Sequence, residues 1–99
     1  KRAAYSASKS GLIGLTKASS IDLAKYNILV NSVSPGFVET ELTKKILSIK
    51  DIVLLKNNVP LKRFAKKEEI TNLIFFLCSK YNTYITGQNI IIDGGFTLK

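Results

Sequence analysis

Two short runs of β-branched residues constrain this chain more than any other feature. Ile28-Leu29-Val30-Asn31-Ser32-Val33 and Asn89-Ile90-Ile91-Ile92 are apolar on both sides of an extended backbone. That is the pattern of strands covered by helices on both faces. Ser34-Pro35-Gly36 closes the first run and Asp93-Gly94-Gly95 the second, because proline and glycine punctuate strongly. A long helix-patterned stretch separates the two runs, so they are predicted to lie parallel, joined by a right-handed crossover. The class is therefore α/β. Two strands alone make a poor sheet, and the expectation is that a larger sheet is missing upstream.

The remaining segments read as three to four helices. Ala3 to Tyr26 has good helix formers and no proline. Ala4, Gly11, Leu12, Leu15, Ser19 and Leu23 form one side at helical spacing, and Ile13, Ile21 and Ala24 lie on another. A helix apolar on more than one side is expected to be buried on more than one side, for instance between a sheet and a second subunit. Glu39 to Lys56 has looser helical spacing, flanked by Asn57-Asn58 and Pro60, and is predicted to form one or two short, mobile helices. Lys66 to Lys80 holds the i, i+3, i+4, i+7 pattern at Ile70, Leu73, Ile74 and Leu77, with Glu68 and Glu69 favourably placed in its first turn. Cys78, on the apolar side of that helix, is expected to be an inert core residue, and Phe75 and Phe76 to be core and interface. Asn31, a polar residue in an apolar strand, is expected to satisfy neighbouring backbone, and Asp93 to be structural at a strand end.

Composition removes several classes. At 99 residues a single domain is expected. One cysteine and no histidine exclude an intrachain disulfide framework and any ordinary zinc site, so no metal is expected. No apolar run approaches the roughly 18 residues that span a membrane, and the N-terminus lacks a signal-peptide core; a cytoplasmic location is the expectation. The net charge of +8 is large, but the lysines are scattered, and lysine outnumbers arginine thirteen to two. Arginine is the residue favoured for base and phosphate forks, so a solvated lysine-rich surface is expected rather than a nucleic-acid interface. The chain opens on Lys1 and contains no methionine, which points to processing or to a piece of something longer.

Chemistry concentrates at Tyr5 and Lys9, four residues apart and so on one helix face. Tyrosine titrates near about 10 and is a poor acid or base at neutral pH. A nearby ammonium favours the phenolate. Such a pair can give a proton to a carbonyl oxygen, or take one from an alcohol, while hydride moves elsewhere.

The surroundings of this pair give it specificity. Tyr5-Ser6-Ala7-Ser8-Lys9-Ser10-Gly11-Leu12 resembles the active-site helix of the short-chain dehydrogenase/reductase family. Val30-Asn31-Ser32-Val33-Ser34-Pro35-Gly36-Phe37-Val38-Glu39-Thr40 is similar to that family's strand and Pro-Gly cofactor loop. Pro60-Leu61-Lys62-Arg63-Phe64 with Glu68-Glu69-Ile70 resembles its late loop and helix. Tyr84-Ile85-Thr86-Gly87-Gln88 through Ile92-Asp93-Gly94-Gly95 resembles its last strand and terminal Gly-Gly. The four motifs cover nearly the whole chain in order, and the closest flavour is the classical subfamily typified by 3-oxoacyl-[acyl-carrier-protein] reductases.

The resemblance implies the C-terminal part of a doubly wound, parallel-sheet Rossmann fold. Residues 1–99 would be the C-terminal portion of one NAD(P)-binding domain whose N-terminal dinucleotide-binding half is absent. It implies NAD or NADP as cofactor, with Tyr5 as general acid/base and Lys9 favouring its phenolate and bonding the nicotinamide ribose. Pro35, Gly36 and Val38 would lie along the nicotinamide, and Thr40 near the cofactor's amide and phosphates. A Pro-Gly turn lets backbone approach a flat ring closely; Thr40 also reads as a helix N-cap. The substrate implied is a small-molecule or acyl-thioester carbonyl, with residues 39–58 as its lid. A homo-oligomer is implied through the helices carrying Tyr5 and Ile70. The family's Gly-rich phosphate loop, catalytic serine and upstream asparagine have no counterpart in this sequence. An alternative reading is a non-catalytic remnant or interaction module that keeps the dimer helices.

Overall fold

The computed structural model describes residues 2–98. In chain order the elements are α1 (Ala3–Ala24), β1 (Ser32–Pro35), α2 (Glu41–Ile46), α3 (Ile49–Asn58), α4 (Lys67–Cys78), β2 (Asn89–Ile92) and a 3-10 turn at Phe96–Leu98. β1 and β2 pair in a two-stranded sheet. Ser32 N–H donates to Gln88 O at 2.9 Å and Gly36 N–H to Ile92 O at 3.0 Å; both strands advance in the same direction, so the pair is parallel. The fold is α/β, as the two apolar runs require. The chain divides into two compact units, Lys1–Val33 with Phe76–Ile90 and Ser34–Phe75 with Ile91–Lys99.

The first unit is pinned by polar side chains. α1 ends where Asn27 takes a positive φ of 57°, a left-handed conformation that asparagine tolerates better than most residues. Thr16 and Ser20 are the buried residues of α1, and each hydroxyl bonds back to its own helix, at Leu12 O and Lys17 O. Gly87, at φ 71°, leaves only 2.7 Å between the place its Cβ would take and Ser20 Oγ; a larger residue would have to displace that hydroxyl, and the left-handed backbone suits glycine. Asn82 is buried and braces the turn after α4, donating to Leu77 O and Ile85 O and accepting from Ile85 N–H.

Here the strand reading needs correction. The extended run predicted from Ile28 pairs only from Ser32 onward. Val30 N–H donates to Thr86 Oγ1 and Val30 O accepts from Gly87 N–H, while Asn31 Nδ2 donates to Ile85 O and its Oδ1 accepts from Gln88 N–H. Side chains and turn amides thus take the groups a ladder would use. Asn31 does satisfy neighbouring backbone. At the other end Ser34 and Pro35 lie inside the strand rather than beyond it; proline is tolerated because it needs no ladder N–H at an end position.

The second unit is pinned by apolar contact and charge. Val59 and Phe64 are the buried hydrophobics among the described residues, at 2% and 3% exposure. Phe37 stacks on Phe64 at 5.3 Å and meets Phe96 edge-on at 5.2 Å. The looser stretch after Glu39 forms two helices. α2 is capped by Thr40, and α3 by a reciprocal Ser48–Asp51 box, which satisfies two otherwise orphan amides. α3 runs through Asn57 and Asn58, so that pair belongs to the helix rather than flanking it. Asp93 accepts from Gly95 N–H, Thr97 N–H and Thr97 Oγ1 at 2.8 Å each. The Thr97 hydroxyl, then its amide, holds the Asp93 carboxyl below the usual carboxylate range. Its role at the strand end is structural.

Much of the helical surface expected to be buried is not covered by this chain itself. Leu12, Leu15 and Ile21 of α1 are exposed, as are Phe75 and Phe76 of α4. Cys78, read from its helix face as core, is a free and exposed thiol. Periodicity marks a face that favours cover; it does not say whether the same chain supplies it.

Candidate active site

The candidate residues fall into two groups, one in each unit. In the first, α1 carries Tyr5 and Lys9 one turn apart, and the Lys9 ammonium lies over the Tyr5 ring at 5.6 Å from its centroid. This is a cation–π distance. Tyr5 is 65% exposed. Ser8 Oγ donates to Tyr5 O at 2.7 Å, which employs the Tyr5 carbonyl while its phenol stays at the surface. The geometry gives a phenolic proton on an open helix face with a cation beside the ring.

In the second group, Pro35 ends β1 and the chain continues through Gly36 to the Thr40 cap. A Cβ at Gly36 would stand 2.7 Å from both Cα and Cβ of Asp93. The room glycine vacates is therefore filled by the neighbouring strand end, a physical reason for glycine that the sequence did not reveal. Val38 forms an isolated parallel bridge with Ala65: Ala65 N–H donates to Phe37 O and Glu39 N–H to Ala65 O, each at 2.9 Å. This ladder leaves the Val38 N–H out of its pairing. Val38 O accepts from Thr43 Oγ1 at 3.0 Å, and a carbonyl retains a second lone pair. Thr40 Oγ1 accepts from Thr43 N–H at 3.0 Å, so the N-cap reading of Thr40 holds.

Taken separately, the exposed Lys9 ammonium can donate to hydroxyl oxygens, and the backbone N–H and C=O of Val38 can pair with an amide group. Among the described residues no group of three or more His, Cys, Asp or Glu could hold a metal ion, and no helix is long and apolar enough to cross a membrane.

The sequence reading missed a fork beside this segment. Glu69 accepts from Arg63 Nη1 and Nη2 at 2.7 Å each and from Lys66 N–H at 2.8 Å. The Arg63 side chain, then the Lys66 amide, draws the Glu69 carboxyl down to about 2. The available signal was an acid in a helix's first turn a few residues after an arginine.

The chain matches the family described as Enoyl-(Acyl carrier protein) reductase over residues 1–97. It is 47% identical over 91 residues to the 3-oxoacyl-[acyl-carrier-protein] reductase FabG of Aquifex aeolicus, covering 92% of this chain and 36% of that protein. A solved 4-hydroxyisoleucine dehydrogenase complexed with NADH superposes with a TM-score of 0.89 at 44% identity, covering 98% of this chain and 40% of that one. A short-chain type dehydrogenase/reductase from Mycobacterium marinum gives 0.82 at 42% identity, covering 96% and 37%. The chain thus spans well under half the length of the proteins it matches.

Proposed function

The chain belongs to the short-chain dehydrogenase/reductase family, and from that premise we propose that it carries the proton-transfer residues of an NAD(P)-dependent oxidoreductase. The reaction is reduction of a ketone or 3-oxoacyl group, or oxidation of the corresponding alcohol. The observation that carries this reading is the Tyr5–Lys9 pair, on an exposed face of α1 with the ammonium 5.6 Å from the ring.

Tyr5 acts as general acid toward the substrate oxygen in reduction and as general base in oxidation. Lys9 keeps its ammonium over the Tyr5 ring and donates to sugar hydroxyls. Pro35, Gly36 and Val38 would hold the nicotinamide, with Val38 backbone groups available to its carboxamide, and Thr40, which caps α2, would stand near the amide and phosphates. NAD or NADP supplies or accepts the hydride when bound. The phosphate-binding half of the domain and the remaining catalytic groups are assigned to the part of the relatives that this chain does not span. Residues 39–58 form the substrate lid, and the open apolar faces of α1 and α4 pair subunits of a cytoplasmic homo-oligomer. The relatives' names mention a 3-oxoacyl-[acyl-carrier-protein] and 4-hydroxyisoleucine, which supports a carbonyl or alcohol substrate without naming one.

The test is Tyr5→Phe in the full-length protein. Turnover falls roughly 100- to 10,000-fold, while NADH or NADPH affinity, read by nucleotide fluorescence, stays nearly unchanged. Retention of more than about a tenth of the rate, well above what loss of an acid–base group allows, would remove Tyr5 from this role.

A further inference from the structure

We infer that the Arg63–Glu69 fork is a positioning element that holds the Phe37–Thr40 segment in place through Ala65. Its cofactor clause rests on the function proposed above; its mechanical clause rests on contacts within one unit.

Arg63, Phe64 and Ala65 form a short strap with two sides. On one side the strap grips the candidate cofactor segment. Ala65 N–H donates to Phe37 O, Glu39 N–H donates to Ala65 O, and the Phe64 ring stacks on Phe37 at 5.3 Å. On the other side the strap is tied to α4 by the two parallel Arg63–Glu69 bonds of 2.7 Å. Arg63 Nη1 also donates to Phe64 O at 3.2 Å, so the guanidinium touches the peptide unit that leads into Ala65. Glu69 accepts the Lys66 amide as well, which fixes the carboxylate to the first turn of α4.

Phe37, Leu61, Arg63, Ala65, Glu69 and Asp93 line a cavity of about 90 Å³, so the strap is not packed solidly on the side of the fork. Lys56 secures the far side, bonding Glu39 at 3.2 Å and lying 5.4 Å from the Phe64 ring centroid. The fork is therefore the tie between the cofactor segment and a rigid helix. A bidentate guanidinium–carboxylate pair fixes direction as well as distance, which a lysine cannot do.

The decisive variant in the full-length protein is Glu69→Gln. Its amide oxygen still accepts from Lys66 N–H, so the helix start survives, but the charge and the second bond to Arg63 are lost. Arg63→Lys is the companion, keeping charge and losing the fork. Amide hydrogen exchange of the nucleotide-free protein is the first readout and NADH or NADPH affinity the second. The expected result is selective loss of protection at the Glu39 and Ala65 amides, with the Gly87 amide unchanged, and nucleotide affinity reduced by up to about a hundredfold. Protection lost evenly across the protein, or unchanged at Glu39 and Ala65, overturns the positioning role. Selective exchange with unaltered nucleotide affinity overturns its link to the cofactor. A wild-type protein that binds neither nucleotide refutes the oxidoreductase reading instead, and the exchange data then decide alone whether the fork holds the segment.

Discussion

The unit formed by Ser34–Phe75 and Ile91–Lys99 holds both buried hydrophobics among the described residues, Val59 and Phe64. The three buried residues of the other unit, Thr16, Ser20 and Asn82, are all polar. One unit is organised around stacked rings and a charged fork, the other around hydroxyls and amides that satisfy backbone. Hydrogen bonds contribute a modest net stabilisation each, whereas buried apolar area supplies most of the driving force for folding. Both units nevertheless leave apolar side chains in water, Leu12, Leu15 and Ile21 in the polar-pinned one and Leu42, Ile49 and Leu54 in the other. The polar-pinned unit is also the one that presents Tyr5. The Tyr5–Lys9 pair proposed for proton transfer and the exposed side chains of Leu12, Leu15 and Ile21 thus lie on the same helix, α1.

The comparison is broken most decisively by the 99 residues expressed alone. Ordering the backbone costs about 1–2 kcal/mol per residue, and two fully covered hydrophobics cannot offset it. Circular dichroism on heating is expected to give partial helix and no cooperative transition. A sharp melt would mean that the polar pins suffice.

Substituting one tight glycine in each unit sharpens the contrast within the full-length protein. Gly36→Ala forces a Cβ against the Asp93 backbone, which has nowhere to go; a loss of about 1–3 kcal/mol in urea unfolding is expected. Gly87→Ala meets the end of the Ser20 side chain and a left-handed backbone penalty of about 1–2 kcal/mol. Adding Ser20→Ala should recover the steric share of the Gly87→Ala loss. No comparable side-chain truncation should rescue Gly36→Ala, because Cα of Asp93 remains.

The smallest expected effect is acid sensitivity. Glu69 is lowered to about 2 from an ordinary 4.5, so its contribution is complete above about 4.5 and is lost as pH falls through the interval to about 2. Asp93 is also lowered and adds to the same limb. Glu69→Gln should flatten part of that limb in a pH series of unfolding midpoints. An unchanged profile would show the fork to be too solvated to matter, as exposed ion pairs often are.

Much of this was legible in the sequence. β2, α1 and α4 follow from periodicity within one or two residues, because each is long or strongly patterned. The Thr40 cap is legible because threonine before an acidic helix start has a local reason to be there. Asn31 is legible because a polar residue in a buried run must find backbone to bond. Partners distant in sequence are another matter. The onset of β1 depends on the Thr86–Gly87 turn capturing Val30, the glycine at position 36 depends on Asp93, and the strap depends on Arg63 reaching Glu69. Spacing fixes which residues share a face, and only the folded chain fixes what stands opposite.

The exposed thiol of Cys78 also has a practical consequence. It is the chain's one cysteine and occupies the last residue of α4, beside the uncovered Phe75 and Phe76. A maleimide added to this chain can modify no other side-chain sulfur here, so its rate of attachment becomes a clock for how often that end of the helix is bare. Assembly that covers the aromatic pair would slow the clock without any substitution having been made.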